Sequence, residues 1–341
     1  MISPSSRQFT SPLDSLRAHL VDLDIGDPGA ALSRLINSDM APLPLPGHGR
    51  TLDRWRALAA VGAHDLSLAK LYEGHTDALA ILAEAGVAQA RPSSWATWCA
   101  EPPDARLLAV ERPDGSLCLT GRKAWCSGAH VVSHAVVSCW NQAGEPVLAA
   151  VHLRQSGVKI TDQGWHAVGM RATASVDIDF DQASAAPLGD PGFYVGRAGF
   201  WHGGAGVAAC WFGAATRLAE ALRERVAARP DPHRLAQLGA VTVALQGAGA
   251  LMRETAAAID RAPDASAMLG ALSVRLSVEA AATHTLDLAG RALGAGPLCK
   301  DRQIARLFAD LPVYLRQSHA ERDQEAVGEL AVAGERAPWT L

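Results

Sequence analysis

GWHAVGMRATASVDIDFDQASA, residues 164–185, is the stretch whose reading decides the fold. Its second half alternates apolar and polar residues, which places Val176, Ile178 and Phe180 on one face of a β-strand. Upstream, LLAVERPDGSLCLTG at 107–121 gives two more alternating runs about a Pro-Asp-Gly turn, the pattern of a hairpin. The hairpin leads into GRKAWCSGAH at 121–130. AHVVSHAVVSCW and PVLAAVHL then continue as strands around Asn141–Gly144. His130 and His134 fall in this β-region, four residues apart, where both would point to one face.

On either side of these strands the apolar period changes to that of helices. After Pro191, four long amphipathic segments occupy 206–227, 233–262, 265–293 and 301–330, separated by Pro230–Pro232, Pro263–Asp264 and Gly294–Pro297. Short breaks between helices of this length predict an antiparallel bundle, with a kink at Pro312 in its last member. Small residues crowd these helices, which suits close packing. Residues 11 to about 90 also read as helices. Ser11, Pro12 and Asp14 start the first, PLPLPGHG is a linker, Thr51 caps a helical hairpin and Gly86 stops it. The expected organisation is α+β and mostly α: a helical N-terminal domain (1–92), a central small β-domain (93–190) and a C-terminal four-helix bundle (191–341).

The 341 residues are 49% hydrophobic and 19% charged, so the chain is globular material. A net charge of −4 excludes the basic stripe of a nucleic-acid binder. No uninterrupted apolar run of about 18 residues predicts a membrane span, and MISPSSRQFTSPLD does not read as a secretory signal. Six scattered cysteines without C-x-x-C spacing suit free thiols in the cytoplasm and no zinc site. No His-Glu-x-x-His or comparable cluster predicts a metal, and no Rossmann fingerprint or P-loop is present.

GRKAWCSGAH, GWHAVGMRATASVDIDFDQASA and the bundle entry PGFYVGRAGFWHGGAGVAACWFGAA resemble the acyl-CoA dehydrogenase family, over residues from about 50 to the C-terminus. The resemblance is to a divergent, poorly characterised member. It implies the family's fold, FAD as cofactor, and α,β-dehydrogenation of an acyl thioester or related small molecule by a homodimer or homotetramer. Trp125 matches the tryptophan that covers the flavin ring, and Ser127 the hydroxyl that bonds its N5 edge. Trp98, Cys99 and Ala100 match the backbone along the pyrimidine edge. The family's phosphate loop is shortened here to PPDARLL, so Glu101-Pro-Pro-Asp104 reads equally as an exposed turn. Arg291 stands where the family has a glutamine. It is read either as a pyrophosphate ligand or as a cation near a helix C-terminus.

The family's catalytic carboxylate falls at Ser318, and the alternative place, FWHGGAGVAAC, holds no acid either. The ionisable groups nearest these two places are His319 and His202, each able to take a proton near neutrality. His319 reads equally as part of a solvated surface with Glu321, Arg322 and Asp323. The absent acid leaves two alternatives open: a flavin-dependent monooxygenase on the same fold, or a scaffold that has lost flavin. The acyl chain and the electron acceptor are not identified by any of these residues.

Overall fold

The computed structural model describes residues 11–88, 93–334, 337 and 339. The N-terminal stretch weighed as a signal sequence lies largely outside them, as does the expected boundary at residue 92.

Four helices come first: α1 (Pro12–Val21), α2 (Pro28–Asn37), α3 (Thr51–His64) and α4 (Leu66–Glu84). Side-chain caps set three of their starts. Ser11 Oγ accepts the Asp14 N–H at 3.2 Å, Asp27 Oδ1 the Ala30 N–H at 2.9 Å, and Asp65 Oδ1 the Leu68 N–H at 2.7 Å. Gly86, at φ +70, lets the chain turn away after α4. Thr51 is not a cap but the first residue of α3; its hydroxyl accepts the Gly47 N–H at 2.8 Å and donates to Asp260 Oδ1 at 2.6 Å.

The strands are β1 (Trp95–Trp98), β2 (Leu107–Glu111), β3 (Leu117–Cys126), β4 (His134–Trp140), β5 (Pro146–His152), β6 (Val158–Ile160) and β7 (Val176–Leu188). Their order is β1-β4-β2-β3-β7-β5, and β5 also pairs with β4, so the sheet closes on itself. Val176, Ile178 and Phe180 are buried, as their alternation predicts. In the β3–β7 register, Lys123 faces Ile178 and Cys126 faces Val176, so β3 carries an extra residue between them. His130 is not in a strand: it lies in the turn after β3, 3.3 Å from Asp162, whereas His134 opens β4 and stacks on Trp95.

The remaining helices are α5 (Phe193–Gly196), α6 (Gly199–Ala228), α7 (Pro232–Arg261), α8 (Met268–Leu293), α9 (Ala295–Lys300), α10 (Arg302–Tyr314) and α11 (Glu321–Ala333). The expected last bundle helix is therefore two. The chain tightens into a 3-10 turn at Leu315–Gln317, just beyond Pro312, and restarts after Ala320 at φ +44. Small residues do permit close packing: a Cβ on Gly62 of α3 would overlap the Cys210 carbonyl of α6, and one on Gly213 the Ala59 carbonyl. Among the described residues, α7 is long and apolar enough by length and composition to cross a membrane, a test that the core helix of a soluble protein also passes. It packs against α8, α6 and α3, yet only 28% of its most apolar window is buried.

Lys123, at 1% exposure, ties three strand segments together. Its Nζ donates to Glu101 Oε1 at 2.5 Å, Ser138 Oγ at 2.7 Å and Ser138 O at 2.9 Å. Ser138 Oγ and Trp140 Nε1 also donate to the Glu101 carboxylate. Partial burial alone would raise the Glu101 pKa. The hydrogen bonds from Lys123 and Ser138 outweigh it and hold the group below its usual range. Glu101 is thus more than an exposed turn residue. Lys123→Met leaves the partly exposed Glu101 carboxylate with Ser138 and Trp140 alone and is expected to cost about 1 kcal/mol, the upper end for an ion pair open to solvent. A lowered urea midpoint checks this; an unchanged one contradicts it.

Candidate functional site

A cavity of about 650 Å³ opens where the ends of β1 and β3 meet α4, α6, α8 and the break between α10 and α11. Trp125 sits at the extra residue of β3 with φ +57, a conformation that costs a non-glycine residue energy and occurs at functional sites. The turn it makes leaves the side chain in the cavity wall, with the residue 49% exposed. Below it, Ser127 Oγ lies 2.7 Å from Ser175 Oγ, which lies 2.7 Å from Thr173 Oγ1. Trp98 Nε1 donates to the Ser127 carbonyl at 3.0 Å, locking the end of β1 to the end of β3. Because β1 stops at Trp98, Cys99 and Ala100 continue past the ladder along the cavity wall. Burial pushes the Cys99 thiol up to about 11, so it is neutral there at ordinary pH.

The Gly169–Thr173 corner is held from the helical side. Met170, at φ +58, donates its N–H to Asp310 Oδ1 of α10 at 2.5 Å. Burial raises the Asp310 pKa against the opposing pull of that hydrogen bond. Arg275 of α8 fixes the helix break, donating to Gln317 O at 2.7 Å and Gly204 O at 2.8 Å, with its guanidinium 5.1 Å over Trp211.

Of the residues singled out from sequence, Trp98, Cys99, Ala100, Trp125, Ser127 and His319 all line this cavity. His319 does so from the break and not from a continuous helix. Its side chain is 64% exposed, in keeping with the solvated-surface alternative, and its Nδ1 is 3.6 Å from Asp323, which is buried. Two expected residues are elsewhere. Arg291 is exposed near the end of α8, 2.8 Å from Asp287, in keeping with the helix-terminus alternative. His202 is buried but absent from the cavity wall, its ring packed against Gly47. A second, open depression of about 620 Å³ near His134 and His152 contains none of these residues.

Sequence reasoning missed the polar wall of the cavity: Lys70, Glu73 and Asp77 of α4, with Arg197. Their i, i+3, i+7 spacing puts the three α4 side chains on one face, which is the signal that was there to find. It also missed Trp165, Phe200 and Trp201, which make part of the wall aromatic.

No family model matches the chain. Dibenzothiophene monooxygenase of Rhodococcus erythropolis is 32% identical over 218 residues, 53% of this chain and 52% of that protein. The chain thus spans about half the length of the curated relatives it matches. The solved TdsC of Paenibacillus sp. A11-2 with FMN and indole covers 96% of this chain and of its own at 20% identity, with a TM-score of 0.79. KijD3, in complex with FMN and a dTDP-linked amino-keto sugar, covers 98% of this chain and 96% of its own at 20% identity, with a TM-score of 0.80. The fold is therefore acyl-CoA-dehydrogenase-like, with a helical N-terminal region, a small β-barrel and a C-terminal helical region. Two expectations change. TdsC and KijD3 hold FMN, which overturns FAD, and the named relatives favour the monooxygenase alternative over acyl-thioester dehydrogenation.

Burial, and then the Arg197 charge, lower the His202 pKa below its ordinary value of 6.5. The unfolded chain therefore takes up a proton that the folded chain resists. This contribution to stability is full above the unfolded pKa and is lost as pH falls through 6.5 toward the lower folded value. His202→Gln should flatten the fall in unfolding free energy between about pH 7 and 5. Equal slopes in the two proteins would contradict this.

Proposed function

We propose that the chain is an FMN-dependent monooxygenase that inserts one atom of O₂ into a small aromatic molecule. The observation that carries this reading is one cavity that unites Trp125, Ser127 and His319 with an aromatic wall. The places where an α-proton base would stand, Ser318 and the first turns of α6, hold no carboxylate. Asp323, the acid nearest His319, accepts the His319 N–H at 3.3 Å and lies 3.9 Å from Arg275, so it is occupied.

The residues present fit a flavin. An indole stands in the wall, a linked pair of hydroxyls lies beside it, and backbone leaves a strand ladder at the same edge. Bound reduced FMN supplies two electrons for O₂, so that one oxygen atom enters the substrate and the other leaves as water. Trp125 would hold the ring from the cavity wall, Ser127, oriented by Ser175, would donate a hydrogen bond to it, and the backbone from Trp98 to Ala100 would line the same site. His319, partnered by Asp323, moves the proton that accompanies oxygen transfer. The largely uncovered α7, of whose most apolar window 28% is buried, supports assembly into a homodimer or homotetramer.

With reduced FMN, air and indole, the protein is expected to consume O₂ and yield an oxygenated product. Ser127→Ala should slow this about tenfold, the worth of one ordinary hydrogen bond. Trp125→Ala should weaken FMN binding, read by flavin fluorescence. If an acyl-CoA thioester bleaches the bound flavin without air, dehydrogenation is the activity and this reading fails.

A further inference from the structure

The carboxylates that line the cavity are not equally satisfied. Glu73 Oε2 accepts from Lys70 Nζ at 2.9 Å, and Asp323 has His319 and Arg275 beside it. Asp77 differs. The residue is 8% exposed, and its Oδ1 is buried with no hydrogen-bond partner. The neighbouring cation, Arg197 Nη2, stands 3.9 Å away, beyond hydrogen-bond reach. That guanidinium is already engaged with Glu84 Oε1 at 3.1 Å. Gly203 of α6, also in the cavity wall, lies over the same oxygen; a Cβ there would come within 2.8 Å of it.

The charges near Asp77 balance, with Lys70, Arg54 and Arg197 set against Glu73, Asp77 and Glu84. A charged ligand would upset that balance. Two buried atoms of the cluster lack partners: Arg197 Nε has no acceptor and Asp77 Oδ1 has no donor. A buried oxygen without one is costly, and its presence beside a cavity calls for a donor that comes with a ligand. The part of the wall not assigned to the flavin offers Trp165, Phe200 and Trp201, which suit a flat apolar body.

We infer that Asp77 is the specificity-determining residue of this cavity, and that it accepts a hydrogen bond from an N–H or O–H group on a neutral, planar aromatic substrate. This deepens the monooxygenase reading and rests on it for the identity of the pocket. The substrate then lies with its polar edge toward α4 and its ring among the tryptophans. A site built to receive a donor rejects the analogue that lacks it, because the carboxylate is left unpaired.

The test compares indole with benzothiophene, which has nearly the same shape but no N–H. Calorimetry measures the binding of each to the full chain supplied with FMN, and visible absorbance reads FMN retention in the same samples. Indole is expected to bind about tenfold more tightly than benzothiophene. Asp77→Leu should bring the two within about twofold by weakening indole alone. Asp77→Asn, which keeps an acceptor oxygen, should retain most of the preference. Equal affinities in the unmodified protein, no binding of either compound, or a preference that survives in Asp77→Leu would each overturn the inference. Loss of the preference in Asp77→Asn would overturn its neutral-donor form. If Asp77→Leu does not fold, the unmodified protein and Asp77→Asn still decide the matter. A protein that prefers indole but retains no FMN would keep Asp77 in this role while removing the monooxygenase reading.

Discussion

The buried ammonium of Lys123 sets the geometry on which the cavity depends. A lysine at 1% exposure persists only where its charge is met. Here the Glu101 carboxylate and two oxygens of Ser138 meet it. Those partners fix the segment leaving β1, the end of β3 and the middle of β4 relative to one another. Trp98, Cys99 and Ala100 lie just before Glu101, and Trp125 and Ser127 just after Lys123. Both cavity-lining stretches are therefore held from the same point. Trp140, whose Nε1 donates to Glu101 Oε2 at 2.9 Å, carries the constraint to the end of β4.

Around that anchor the chain accepts local strain to aim side chains. Trp125, Met170, Ala174 and Ala320 all adopt positive φ, and each lies in or beside a segment that borders the cavity. An isolated peptide would avoid these conformations. They persist because long-range contacts over-determine them: Trp98 to Ser127, Asp310 to Met170, and Arg275 to Gln317. The hydroxyl chain from Thr173 through Ser175 to Ser127 then joins the two β-strand ends that face the ring position. Sheet and helices must both be in place before the site exists.

The sequence showed the architecture because its signals are periodic and local: alternation in β7, the Pro-Asp-Gly hairpin, and long amphipathic runs broken by proline and glycine. The site was legible only in part. Trp125 and Ser127 could be placed by motif, and both line the cavity. Lys123 lay in the same motif, but its burial depends on Glu101, 22 residues earlier, and that pairing has no local signature. Asp77 and Lys70 look like ordinary helix charges until α6 and Arg197 cover them. The split of the last helix was hidden because α10 and α11 are each amphipathic. The turn between them falls on Ala320, a residue that favours helix. Arg291 had a motif position but no tertiary partner near the cavity. The FAD expectation came with the resemblance, and nothing in the residues required the second phosphate.

Lys123 thus holds two strand ends apart by a fixed span, the strained turns fill that span with an indole and two hydroxyls, and the helix break brings His319 to the rim. Neither Ser318 nor the first turns of α6 hold an acid, and the aromatic wall suits a flat substrate. With this mechanism the oxygen atom of the product comes from O₂. Turnover of indole with reduced FMN under ¹⁸O₂ in ordinary water, followed by mass spectrometry of the product, tests it directly. The account predicts one ¹⁸O atom per oxygenated product. Product without the label, or labelled only when H₂¹⁸O replaces the solvent, would contradict it.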